Sequence, residues 1–118
     1  MALILVVDDE VSLRTNLKVF LELNGHTIEM AVDGVDGLEK AAQINPDLIV
    51  SDVMMPRMDG YTMLKELKFT PALENIPVIM LTAKDGLSDL CEIEGAIEFL
   101  LKPFDFNALL EIVNKYVQ

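Results

Sequence analysis

Five short apolar runs, each followed by a stretch with helical periodicity, constrain this chain more than any other feature. Leu3–Val7 is a continuous β-rich run, as expected of a strand covered on both faces. Residues 27–32, 47–51, 78–81 and 97–101 supply four more candidate strands. Between them, residues 11–24 place Leu13, Leu17, Phe20 and Leu21 at spacings of three and four, and Gly25 closes that helix. Asp33-Gly34 turns the chain into a second helix with Val35, Leu38, Ala41 and Ala42 on one face, ended by Asn45-Pro46. Residues 59–69 predict a third, with Leu64 and Leu67 inward and Lys65, Glu66 and Lys68 outward. Residues 84–94 predict a short, acidic fourth helix through Leu87, Leu90 and Cys91, and Asp105 is placed to cap a fifth with Leu109, Ile112, Val113 and Tyr116 inward. Strict strand–helix alternation demands α/β architecture: a parallel sheet, right-handed crossovers and helices on both faces.

At 118 residues there is chain for one domain and one core. Asp and Glu number 20 against 9 Lys and Arg, a net charge of −11, so the surface repels phosphate backbones and anionic lipid. Direct nucleic-acid and membrane binding are therefore not expected, whereas a divalent cation or a basic partner face would be welcome. A lone cysteine, Cys91, leaves no disulfide framework or thiolate metal cluster. The apolar start has no basic flank and is too short for a signal peptide or a membrane span, so we expect a cytoplasmic protein.

The chemistry collects where the strands stop. The first ends in Asp8-Asp9, the third in Asp52, the fourth in Thr82 and the fifth in Lys102. An open parallel sheet projects all of these from its carboxyl edge, where such folds bind ligands. Taken singly, each has a plain structural role: a helix-start acidic pair, a turn residue, a strand hydroxyl, a solvated cation. Together they form a set. Three crowded carboxylates raise proton affinity or recruit a cation, and oxygen donors without Cys or His suit Mg²⁺, which prefers to share its shell with phosphate oxygens. An ammonium and a hydroxyl beside that ion are what a transferring phosphoryl group requires. His26 lies before the second strand, away from this edge, but ionised Asp52 needs no base to act as nucleophile and form an acyl phosphate.

The stretches LVVDDE at 5–10, SDVMMPRMDG at 51–60, LTAK at 81–84 and LKPF at 101–104 are together highly specific. Over its whole length the chain resembles the receiver domain of bacterial two-component response regulators. The resemblance implies a flavodoxin-like, doubly wound sheet of five parallel strands in the order 2-1-3-4-5 with five helices, as a single domain over residues 1–118. It implies that Asp52 accepts a phosphoryl group from a histidine kinase or phosphotransfer protein, with Mg²⁺ or Mn²⁺ as cofactor. Asp9 and Asp52 would ligate the ion directly, Met54 through its backbone carbonyl and Asp8 mainly through water. Thr82 would bond the phosphoryl oxygen and Lys102 would hold its other side. The Lys102–Pro103 bond would be cis. Thr82 and Phe99 would form the switch, moving the face made by the fourth helix, fifth strand and fifth helix.

Several expectations accompany that reading. The region between Thr82 and Gly95 is slightly shorter than usual for receivers, which shortens the fourth helix. The protein is expected to catalyse its own phosphorylation and slow dephosphorylation, not to turn over a diffusible metabolite. Its output is an unknown protein or an attached domain, and it is either a stand-alone regulator or the amino-terminal part of a longer one. A phosphorylation-dependent dimer remains open. The main rival is a receiver-like interaction module that ignores phosphorylation. An aspartyl phosphatase would want a second acid two residues after Asp52, where Met54 stands, and a nucleotide-binding fold would want a glycine-rich loop after the first strand.

Overall fold

The computed structural model describes residues 2–83 and 95–117. In chain order these form β1 (Leu3–Val7), α1 (Val11–Leu23), β2 (Thr27–Ala31), α2 (Gly34–Ile44), β3 (Leu48–Asp52), α3 (Gly60–Lys68), β4 (Val78–Thr82), β5 (Glu98–Leu101) and α4 (Phe106–Tyr116). The five strands make one parallel sheet, as the alternation demanded, in the order β2-β1-β3-β4-β5 that the resemblance implied. The short helix expected over residues 84–94 lies outside the described residues.

Both faces of the sheet are apolar because both are covered. Ile4, Val6, Leu48, Val50, Ile79 and Leu81 pack against Leu17 and Leu21 of α1 and Leu109 and Val113 of α4. Leu5, Val7, Ile49 and Met80 alternate with them onto the opposite face, against Ala41 of α2 and Met63, Leu64 and Leu67 of α3. Burying one such side chain contributes about 1.5–3 kcal/mol, so the two slabs rather than any single contact hold the sheet between its helices.

Helix starts follow the sequence signals. Asp33, Asp59 and Asp105 accept hydrogen bonds from the backbone N–H groups of Asp36, Thr62 and Asn107, satisfying donors that the first turn leaves open. One helical face differs from expectation. Ala42 is exposed, whereas Ala41 is buried and Leu38 packs against the core as expected, and Gly34 and Gly37 are buried beside them. A Cβ built on Gly37 would lie 2.7 Å from Met63 Sδ and 3.2 Å from Val7 Cγ2, so α2 approaches its neighbours closely at this glycine. Periodicity weighted towards large apolar residues misses a face built on glycine. Met63, unassigned from sequence, is fully buried.

The turn after β3 is closed by the Gly60 N–H donating to the Val53 carbonyl at 2.8 Å. A Cβ on Gly60 would sit 2.0 Å from the Asp52 carbonyl oxygen, a backbone atom that cannot yield without moving the strand end. Gly60→Ala is therefore expected to destabilise the domain by about 3 kcal/mol or more, read as a lowered urea midpoint. Gly37→Ala, whose nearest neighbour is the flexible Met63 thioether, should cost less.

Candidate functional site

Asp8 immediately follows β1 and is fully buried. Its backbone N–H donates to the Ala31 carbonyl at 3.1 Å, holding it to the end of β2. Its Oδ1 accepts from the Glu10 N–H at 2.9 Å, whereas Oδ2 has no hydrogen-bond partner. Asp52, the last residue of β3, is 8% exposed and accepts at Oδ1 from the Val53 N–H, 2.8 Å away. Asp9 is exposed. One carboxylate oxygen from each of Asp8, Asp9 and Asp52 lies within 4.8 Å of the others.

Lys102 completes the cluster. Its Nζ lies 3.2 Å from Asp52 Oδ2 and 3.7 Å from Asp8 Oδ2. The backbone N–H of Lys102 donates to the Thr82 carbonyl at 2.8 Å, tying the end of β5 to the end of β4, and the following bond to Pro103 is cis, as expected. Thr82 is buried at the carboxyl end of β4, where it pairs with Leu101. Phe99 is half-buried on β5, one pleat back from Leu101 and opposite Met80, so Thr82 and Phe99 belong to the same face of the sheet. Met54 follows in the β3–α3 loop with its side chain 60% exposed.

Burial pushes the Asp8 carboxyl above the usual carboxylate range; the Glu10 N–H opposes this, repulsion from Asp52 adds to it, and Lys102 and Asp9 act in opposite senses more weakly. A buried carboxylate oxygen without a hydrogen bond and two further carboxylates beside it, with no sulfur or imidazole donor grouped with them among the described residues, make an oxygen-only cradle. Asp8, Asp9 and Asp52 fit a hard divalent cation such as Mg²⁺. One participant escaped the sequence reading: the Arg14 guanidinium donates to the Asp8 carbonyl at 2.7 Å from the first turn of α1. Its position in a helix directly after the Asp8-Asp9 pair was the only signal available.

The sequence profile of the response regulator receiver domain matches residues 4–114. The chain belongs to that family. The receiver is 43% identical over 109 residues to response regulator MprA of Mycobacterium ulcerans, an alignment covering 91% of this chain and 46% of the relative. It thus spans about half the length of such relatives. Chemotaxis response regulator CheY4 of Vibrio cholerae superposes with a TM-score of 0.92 at 33% identity, covering 98% of each chain. Response regulator TrrA of Thermotoga maritima, solved in complex with Mg(2+)-BeF, gives a TM-score of 0.88 at 36% identity over 98% of this receiver and 99% of that chain. Among the described residues no helix is long and apolar enough to cross a membrane.

Because Asp8 is buried with its charge disfavoured, Asp8→Asn should raise the melting temperature of the metal-free receiver at neutral pH by a few degrees, about 1 kcal/mol. The sign with pH follows from linkage. The raised folded-state pKa means that ionising Asp8 costs the wild type stability as pH rises through its range, and the cost is absent when the carboxyl is protonated. The advantage of the Asn variant should therefore shrink as pH is lowered, which thermal melts in EDTA at several pH values will measure.

Proposed function

We propose that this receiver accepts a phosphoryl group on Asp52 from the phosphohistidine of a histidine kinase or phosphotransfer protein. The observation that carries the reading is the cluster itself: three carboxylates and one ammonium gathered from separate strand ends at a single edge. An Asp52 carboxylate oxygen attacks phosphorus, a P–O bond forms as the donor's P–N bond breaks, and the electron pair leaves on the imidazole nitrogen. Lys102, already against Asp52 Oδ2 at 3.2 Å, holds the nucleophile and offsets the negative charge of the incoming group. Thr82 offers its hydroxyl to a phosphoryl oxygen from the adjoining strand.

Mg²⁺ or Mn²⁺, held by Asp9, Asp52 and the Met54 carbonyl with Asp8 acting mainly through water, would neutralise charge on the transferring group. That TrrA was solved in complex with Mg(2+)-BeF supports a divalent ion for this receiver as well. After transfer, the larger and more charged group draws Thr82 towards it, and Phe99, on the same face of the neighbouring strand, fills the space released. That movement alters the face that includes β5 and α4, which an output protein or attached domain reads. The receiver is thus a cytoplasmic phosphoacceptor that catalyses its own phosphorylation and slow hydrolysis.

Intact-protein mass after incubation with Mg²⁺ and acetyl phosphate tests this. One phosphoryl adduct, dependent on the metal and absent from Asp52→Asn, is expected. Absence of the adduct from wild type, under conditions that label another receiver, would instead support a phosphorylation-independent interaction module. An adduct surviving Asp52→Asn would place the nucleophile elsewhere.

A further inference from the structure

Beyond the phosphoryl site, the loop that carries Met54 is fastened at its far end by an ion pair that sequence separation conceals. Arg57 donates from Nε to Asp33 Oδ2 at 2.7 Å and from its terminal nitrogen to Asp33 Oδ1 at 3.1 Å, a two-pronged contact to a carboxylate that also caps α2. The Asp33 side chain is only 6% exposed although that of Arg57 is 59% exposed. One residue further on, the Gly34 N–H donates to the Met58 carbonyl at 2.9 Å, and a Cβ on Gly34 would lie 2.5 Å from that oxygen. The loop is therefore seated on the amino terminus of α2 by side chain and backbone together.

Arg57 achieves this from a left-handed backbone conformation, φ 62°, which glycine adopts freely and residues with a Cβ adopt at a cost. Glycine would suit the backbone but could not reach Asp33. At the near end, Val53 is fixed by its N–H to Asp52 Oδ1 and the Leu81 carbonyl and by its carbonyl to Gly60. Met54, with its side chain largely in solvent, lies between these two anchorages and has little packing of its own to place it.

We propose that the Asp33–Arg57 pair is a latch that positions the Met54 carbonyl for the divalent cation. The inference rests on the metal site assigned under the proposed function. Mg²⁺ demands near-octahedral geometry at short distances, so a carbonyl held loosely is a poorer ligand even when all the carboxylates are intact. The hydrogen bond from Arg57 lowers the Asp33 carboxyl from its usual range, which keeps the pair charged at neutral pH. Arg57 and Asp33 are positioning residues here, since neither reaches the reacting atoms.

The test is Mg²⁺ binding by calorimetry on the full chain, alongside hydrogen exchange of the amides of residues 53–59 in EDTA. Arg57→Gly removes the latch while suiting the backbone, and Asp33→Asn removes its charge while keeping the helix cap. Each should weaken Mg²⁺ binding by roughly tenfold, the scale of losing a group that orients a metal ligand. The double variant should be no weaker than either single one, Arg57→Lys should recover part of the loss, and loop amides should exchange faster without any metal present. Affinity within about twofold of wild type in Arg57→Gly, unchanged exchange, or fully additive losses would each overturn the latch. If wild-type binding itself survives Asp52→Asn unchanged, the ion is not at the phosphoryl site and the parent reading falls with it; wild-type binding that depends on Asp52 but ignores Arg57 sinks the latch alone.

Discussion

Two carboxylates drawn into the rim of an apolar sheet need a positive charge, and Lys102 provides the one that lies against both. Asp8 is fully buried and Asp52 nearly so, and their mutual repulsion opposes folding unless something offsets it. The ammonium does so from a strand that is last in sequence and at the sheet's edge, so the cluster exists only when β1, β3, β4 and β5 are all in register. Charge balance at the site and completion of the sheet are thereby the same event. The arrangement also leaves Asp8 Oδ2 without a hydrogen bond, an oxygen whose demand a divalent cation can meet better than the lysine does.

Backbone constraints around the cluster are as tight as the electrostatics. Gly60 lets the chain pass against the Asp52 carbonyl, Val53 is bonded on both sides, and the Arg57–Asp33 contact fastens the loop beyond it. The proposed phosphoryl transfer would gain from this because preorganised donors and charges cost no rearrangement when negative charge arrives. In the proposed switch the moving parts would be Thr82 and the half-buried Phe99, which lie on the same face of neighbouring strands.

Much of this was legible in the sequence because strand ends announce themselves: an apolar run stopped by Asp8-Asp9, Asp52, Thr82 or Lys102 fixes both the element and the edge from which its side chain projects. The helix cap at Asp105 and the helix starts at Asp33 and Asp59 were local signals of the same kind. What escaped were features that depend on close approach or on distance along the chain. The buried stripe of α2 runs through Gly37 rather than Ala42, since a glycine carries no apolar weight in a periodicity count. Asp33 and Arg57, 24 residues apart, met only in the folded chain, and neither a capping aspartate nor an arginine in a loop advertises such a contact. Arg14 gave only a weak signal for a different reason: its partner is a carbonyl, which every residue possesses.

The most direct test of the central claim, that the carboxyl edge is one phosphoryl-binding unit, is a two-dimensional ¹H–¹⁵N NMR titration with Mg²⁺ followed by beryllium fluoride. The account predicts that Mg²⁺ shifts the amides of Asp8, Asp9 and residues 52–54. Beryllium fluoride should then extend the changes to Thr82, Phe99 and Lys102, leaving the far ends of the strands nearly still. Shifts scattered over the acidic surface, or a response that omits Lys102 and Thr82, would contradict it.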